Sequence, residues 1–213
     1  PYLDTWTYRP FGNAADLQHA LETGQIDVAW MPVGRLPDPT GLSPALTVYR
    51  YPAPEFVFVA FNNDHPILSD VQVRLALSTA VDREQLLDRT LDGAGELIAG
   101  SLPAMHWAAD PALRPPPYDP ERARELLAAS GWRDSDGDGW LDRDGKRLRL
   151  PVRTNGGNRL REDVATLVAG YYRAIGVDAS IEVVGWPALV DDLFTHNFGA
   201  IVFSWPLSAE PDQ

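Results

Sequence analysis

The sequence predicts an α/β fold, and three observations carry the prediction. Between residues 147 and 205 strand-like and helix-like stretches alternate: strand 147–154, helix 159–175, strand 179–184, helix 187–194, strand 200–205. Strands joined through helices in this order lie in one sheet with the helices on its faces. The run Phe56-Val57-Phe58-Val59-Ala60-Phe61 is hydrophobic at every position, the pattern of a strand buried on both faces. Proline is abundant, 19 in 213 residues, against an average usage of about 5%, and it gathers between the periodic stretches. Together these describe a mixed sheet flanked by helices with long Pro-rich loops rather than a helical bundle.

Each element has a local reason. Asn13 is placed to cap a helix over 14–23, with Asp16 in its first turn and Gly24 as its stop. Residues 25–30 (Gln-Ile-Asp-Val-Ala-Trp) alternate as a half-buried strand does. Residues 32–54, with six prolines (Pro32, Pro37, Pro39, Pro44, Pro52, Pro54), read as a long connection into the strand 55–62. A helix over 71–81 follows, capped by Ser69 or Asp70, and Asp82 caps another over 83–91. Residues 93–117 form a second long loop that ends in the stiff triplet Pro115-Pro116-Pro117. Asp119-Pro120-Glu121 is a helix start with an acidic cap, proline at the first helical position and an acid facing the dipole. That helix stops at Ser130-Gly131. Asn158 caps the helix 159–175, whose Leu160, Val164, Leu167, Val168 and Tyr171 make an apolar stripe closed by Gly176. Pro187 opens the last, short helix.

Composition narrows the function. A formal net charge of −12 argues against nucleic acid and anionic membrane surfaces, both of which require a basic face. The longest apolar run, 56–61, is six residues, far below the roughly 18 that a helical membrane span needs. With no cysteine, disulfide scaffolds, thiolate zinc sites and cysteine nucleophiles are excluded. The start, Pro1-Tyr2-Leu3-Asp4, has neither a basic nor an apolar leader region, and 1–12 reads as a strand and loop in mid-fold. The chain therefore reads as a piece of a longer protein.

Little in the sequence points to catalysis. His19, His65, His106 and His196 have no metal-binding spacing, and no nucleophile-elbow, zincin or phosphate-loop motif occurs. A carboxylate pair such as Glu55 with Asp27 keeps a glycosidase-like hydrolase open as an alternative, though nothing singles those two out. Asp134, Asp136, Asp138 and Asp142 occupy positions 1, 3, 5 and 9 of an EF-hand-like loop, with Gly137 at position 6 and Trp140 offering its carbonyl at position 7. Position 12 is Gly145, where a bidentate Glu would stand, and Asp144 falls one place early. Two readings stay open: a loop stapled by a structural calcium ion, or a run of Asx-turns that needs no ion. A calcium-stapled interaction module is accordingly a further alternative. Trp107 in a loop, Trp205 at a strand end and Trp30 after a strand are placed to show a ring to a ligand, or equally to plug a core. Asn155-Gly156-Gly157-Asn158 lies where a strand's carboxyl end meets a helix start, the place where ligands collect in open α/β sheets.

These residues resemble a known family along nearly the whole chain: the extracellular solute-binding proteins of family 5, the dipeptide, oligopeptide and nickel class that serves ABC importers. The resemblance rests on the segment 15–29, on Phe61-Asn62, on 70–77 (Asp-Val-Gln-Val-Arg-Leu-Ala-Leu) with 80–84 (Ala-Val-Asp-Arg-Glu), and on Tyr118-Asp119-Pro120-Glu121-Arg122-Ala123 with Gly131-Trp132. The acidic loop 134–145 and the ending Ser204-Trp205 also occur in many members. It implies a lobe of the type II periplasmic-binding-protein kind, in a bilobed protein that closes on a solute and performs no reaction. Residues 1–61 would be the end of the first lobe with a hinge-proximal strand, 62–205 the second ligand-binding lobe, and 206–213 the start of the following segment. It further implies a peptide or other small solute, a permease partner, a monomer, no obligatory cofactor, and a periplasmic or extracellular place with a lipid anchor in many members. In peptide-binding members an aspartate three residues after the tryptophan of the last strand holds the peptide amine. Here that position is Ser208, whose hydroxyl cannot supply a charge-assisted bond, with Glu210 and Asp212 out of register. The turn after Thr154 resembles the family's cleft-facing turn, which implies ligand contacts at Asn155, Asn158 and Arg159.

Overall fold

The computed structural model describes residues 2–12, 14–30, 44, 46–49, 55–100, 102 and 106–206. The expectations placed on Asn13, Ser208, Glu210, Asp212 and most of 32–54 fall outside them. The chain divides into two compact units, 1–52 and 53–213.

In the first unit the helix α1 (Ala14–Glu22) forms as predicted. It ends where Gly24 takes φ +69 and where the backbone N–H groups of Gln25 and Ile26 both donate to the Ala20 carbonyl. The strands predicted over 25–30 and within 1–12 do not form: those described residues are irregular. Alternation alone makes no strand; a neighbour has to take the ladder hydrogen bonds, and among the described residues none does. Val28 and Trp30 are accordingly more than 60% exposed.

The second unit holds, in order, β1 (Glu55–Phe61), α2 (Val71–Thr79), α3 (Arg83–Leu91), α4 (Pro120–Ala129), β2 (Asp142–Arg143), β3 (Lys146–Arg147), β4 (Val152–Asn155), α5 (Arg159–Ala174), β5 (Ile181–Val184), α6 (Trp186–Thr195) and β6 (Ala200–Pro206). The main sheet has the order β1-β6-β4-β5, with β4 parallel to both β5 and β6 and β1 antiparallel to β6. It is the mixed sheet the sequence predicts. Each carboxylate or amide cap does its work: Asp70 accepts from the Gln72 N–H at 2.8 Å, Asp82 from Gln85 at 2.9 Å, Asp119 from Arg122 at 2.8 Å and Asn158 from Arg161 at 3.1 Å.

One strand expectation holds and one is corrected. β1 is packed on both faces and half-buried over 56–61: Val57, Val59 and Phe61 lie on one core and Phe58 and Ala60 on the other. Among the described residues it is an edge strand, bonded to β6. The single strand predicted over 147–154 is split into β3 and β4. Between them the chain changes partners, Leu148 donating to the Leu141 carbonyl and Leu150 to that of Asp178, while Pro151 has no N–H to give.

Helices cover both faces of the sheet. On one, Leu150, Val152, Ala200 and Val202 meet α5 and, beyond it, α2 and α4, in a core that includes Leu68, Leu77, Leu127 and Tyr172. On the other, Ile201 and Phe203 meet Leu189 of α6. The face that α5 buries runs through Arg161, Val164, Ala165, Val168, Ala169 and Tyr172. It is rotated from the predicted stripe, with Leu160 and Tyr171 at its margin, because Ala165 and Ala169 bring the helix down on the sheet.

Candidate functional site

The path of the chain creates one crevice. After β4 it crosses by α5 on one face to β5; after β5 it returns by α6 on the other face to β6. Ligands of open α/β sheets bind where neighbouring parallel strands, their connections leaving to opposite faces, part at their carboxyl ends. Here β4 pairs with β6 only over 152–153, and the gap lies beyond, between Asn155 and Ser204. On its other side β4 stays joined to β5: the Gly156 N–H donates to the Val184 carbonyl at 2.9 Å, and a Cβ at Gly156 would come within 3.3 Å of Val183. Close passage of the backbone explains the glycine.

One cation fills the gap. Arg161, 8% exposed, stands in the first turn of α5. Its Nε and one terminal nitrogen donate to Ser204 Oγ at 3.0 and 2.5 Å, and the other terminal nitrogen donates to Asn155 Oδ1 at 2.7 Å. Its guanidinium carbon lies 4.8 Å from the ring centroid of Phe203 and 5.3 Å from that of Trp186. Those two rings stack at 5.6 Å, and Trp205 adjoins Phe203 at 6.1 Å. Trp186 and Trp205 are each about half exposed, so the crevice presents an aromatic shelf with a buried positive charge beneath it. Burial pushes the Arg161 guanidinium below its ordinary value, and the Glu55 carboxylate pulls the other way. It stays charged nonetheless.

The predicted residues distribute unevenly about this crevice. Asn155 is buried in it and Trp205 borders it. Asn158 serves as the cap of α5. Arg159 points to Asp163, one turn on, at 2.9 Å and is largely exposed. Trp107 stacks on His106 in the long loop. Ser208 lies outside the described residues. The sequence reading assigns no site role to Arg161, Trp186 or Ser204. For Arg161 a signal existed: it stands three, four and seven residues before Val164, Ala165 and Val168, on the buried face of an amphipathic helix, at the end where the dipole disfavours a cation.

In the acidic loop, carboxylate oxygens of Asp134, Asp136 and Asp138 lie within 4.8 Å of one another. The same oxygens also close the turn: Asp134 accepts from the N–H groups of Gly137 and Gly139, Asp136 from Asp138, and Asp138 from Trp140. Asp138 pairs with Arg147 as well. Asp142 turns to Ser135, whose N–H and hydroxyl bind its two oxygens and hold its carboxyl below the usual range.

A cavity of about 450 Å³ opens at the opposite end of the sheet, beside Asn62, His65, Arg153 and Glu182. Its charged groups already serve one another: Arg153 binds Glu182 and Asp192, each at 2.7 Å, and the Asn197 carbonyl at 2.7 Å. The crevice, where a buried guanidinium lies beside half-exposed rings, is the candidate site.

A mixed sheet clothed on both faces, with its polar crevice at a chain reversal, is the architecture of the type II periplasmic binding proteins. The chain belongs to the bacterial extracellular solute-binding proteins, family 5: the sequence model of that family's middle region matches residues 1–213. Among curated relatives, the oligopeptide-binding protein AppA of Bacillus subtilis (strain 168) is 36% identical over 219 residues, covering 100% of this chain and 40% of the relative. The nickel-binding periplasmic protein of Escherichia coli (strain K12) is 32% identical over 170 residues, covering 76% of this chain and 32% of the relative. The solved structure of Bacillus subtilis AppA in complex with a nonapeptide superposes with a TM-score of 0.80 at 31% identity, over 94% of this chain and 40% of that one. NikZ from Campylobacter jejuni in complex with Ni(L-His) has the same fold, with a TM-score of 0.80 at 24% identity over 94% of this chain and 39% of that one. The chain thus spans about two fifths of the length of AppA.

Proposed function

We propose that the chain is part of the solute-binding component of an ABC importer, which captures a peptide-like or other small solute between two lobes and delivers it to a membrane permease. It would act in the periplasm or outside the cell, as a monomer, tethered by lipid in the whole protein. The observation that carries this reading is the crevice at the chain reversal. It combines exposed aromatic rings with a buried polar cluster, the composition of a site that grips a small molecule. The relatives support it by what they are named for binding. The groups at the crevice (amide, hydroxyl, guanidinium and rings) include no base set against a nucleophile, which favours binding over the hydrolase alternative. Native mass spectrometry of the whole parent protein, purified gently from its host, tests it. A discrete added mass of small-molecule size is expected. No added mass after incubation with peptide and oligosaccharide pools would overturn the reading.

Calcium in the acidic loop is the second part of the proposal, supported by three convergent carboxylates. Saturating calcium at about 100 times its dissociation constant should stabilise the chain by about 2.7 kcal/mol, seen as a rise in melting temperature. Asp136→Ala should abolish that rise. An unchanged rise in the variant would place the ion elsewhere, and no rise in either would leave the Asx-turn reading.

A further inference from the structure

A second cavity, of about 380 Å³, opens at the carboxyl end of α5, between the last turns of α4, the residues that follow it and the foot of the acidic loop. The crevice lies at the other end of the same 16-residue helix, which at about 1.5 Å per residue sets the two roughly 24 Å apart. The cavity's chemistry is one-sided. Its polar side chains are Arg124, Trp132, Arg133 and Arg173, and every polar group they carry is an N–H donor; the rest of the lining is apolar or glycine. Among the described residues none of the three guanidiniums has a carboxylate within ion-pair distance. Arg124 donates to the Ala174 carbonyl at 2.8 Å and Arg173 to that of Ala179 at 3.4 Å, which ties both to the end of α5. The exposed Arg133 guanidinium has no hydrogen-bond partner among the described residues. Trp132 is 4% exposed, and its indole N–H is buried without an acceptor among them. The lining carbonyls of Arg133, Leu141, Arg173 and Gly176 are already engaged, accepting from the N–H groups of Asp142, Leu148, Gly176 and Leu141. The end of α5 carries about half a negative charge, which one guanidinium offsets; three are present. The neighbouring carboxylates of the acidic loop are turned to their own backbone N–H groups, and Asp138 to Arg147 as well.

We propose that this cavity is a binding site for a phosphoryl group, held by Arg124, Arg133 and Arg173 and independent of the crevice. A phosphate has acceptors only, which is what a lining of donors lacks. Its tetrahedral oxygens point to several sides and suit guanidiniums that arrive from α4, from the turn after it and from α5. A planar carboxylate fills one guanidinium fork and leaves the others unmet. The apolar part of the lining gives room for the group that carries the phosphate. A soluble phosphate monoester and a phospholipid headgroup present the same chemistry. The net charge of −12 repels the chain from an anionic bilayer, so the soluble form is the expected ligand.

Inorganic phosphate, titrated calorimetrically into the whole parent protein at low ionic strength, tests the site. One equivalent is expected to bind saturably, and more weakly as salt is added. Arg133→Gln removes a guanidinium that makes no hydrogen bond or ion pair in the fold, so the melting temperature should not change. Phosphate should nevertheless bind at least about tenfold more weakly, the worth of a charge-assisted hydrogen bond. Arg173→Gln, on the opposite wall, should weaken it to a similar degree. Flotation with vesicles of phosphatidic acid in phosphatidylcholine identifies the source. No recruitment is expected; recruitment that Arg133→Gln abolishes would keep the phosphoryl site and assign it to a lipid headgroup. Binding or recruitment that both substitutions leave untouched would overturn the proposal. So would the absence of saturable phosphate binding together with the absence of recruitment, which would make the three arginines caps of α5 and nothing more. None of these outcomes touches the solute-binding reading, which stands or falls on the added mass in the parent protein.

Discussion

Arg153→Met is expected to lower the stability of the second unit by about 3–5 kcal/mol, the cost of stranding one half of a buried ion pair. The stranded half is Asp192 of α6, 8% exposed. Its Oδ2 receives Arg153 at 2.7 Å, and its Oδ1 keeps the Asn197 side-chain amide at 2.9 Å. Glu182, the other partner of Arg153, reaches water and should tolerate the loss. The guanidinium also ties the Asn197 carbonyl, so the turn between α6 and β6 should loosen along with the helix. Urea unfolding followed by circular dichroism gives the number. The pair Arg153→Met with Asp192→Leu removes both charges and should recover most of the loss, since an apolar pair can replace a buried ionic one. A cost below about 1 kcal/mol for the single change would mean that water reaches this cluster and that it acts as a surface ion pair.

Gly176→Ala should cost about 2–5 kcal/mol and lower the melting temperature by roughly 4–20 °C. Two effects add. Gly176 closes α5 at φ +87, a conformation that costs an L-residue about 1–2 kcal/mol. A Cβ there would stand 2.9 Å from Leu141 Cγ and 3.3 Å from its Cδ2, and overpacking of this kind costs about 1–3 kcal/mol. Leu141 cannot simply withdraw, because its N–H is bonded to the Gly176 carbonyl at 2.8 Å. In a Leu141→Ala background, which loses packing of its own, Gly176→Ala should cost only the backbone part. If it costs as much there as in the unaltered chain, the contact contributes nothing and only the backbone conformation matters.

Much of this architecture is legible in the residues. The caps at Asp70, Asp82, Asp119 and Asn158 announce four helices, because a short polar side chain before a periodic stretch has a local reason to be there. The parallel core follows from the alternation after 147. What fails is anything that depends on a partner. Residues 25–30 alternate convincingly yet find no neighbour among the described residues. The strand 147–154 breaks because its hydrogen-bond acceptors belong first to Leu141 and then to Asp178, a change no local pattern encodes. The unbroken run of β1 does announce a core on each of its faces, but not its place at the edge of the sheet. The crevice divides in the same way: Asn155 and Trp205 are visible from their places at strand ends, whereas Arg161 is hidden by the habit of counting charged residues as solvent-facing. Its partners, Asn155 and Ser204, lie 6 and 43 residues away, and a local pattern does not display contacts of the longer kind.

The antiparallel pairing of β1 with β6 sets Glu55 opposite Pro206. The stretch from Glu55 to Pro206 therefore begins and ends on two adjacent strands, about 5 Å apart. Topologically that stretch is a closed circuit: what lies between the two strands can be lengthened, shortened or rebuilt without moving its ends, so it lends itself to exchange as a cassette, carrying its crevice with it.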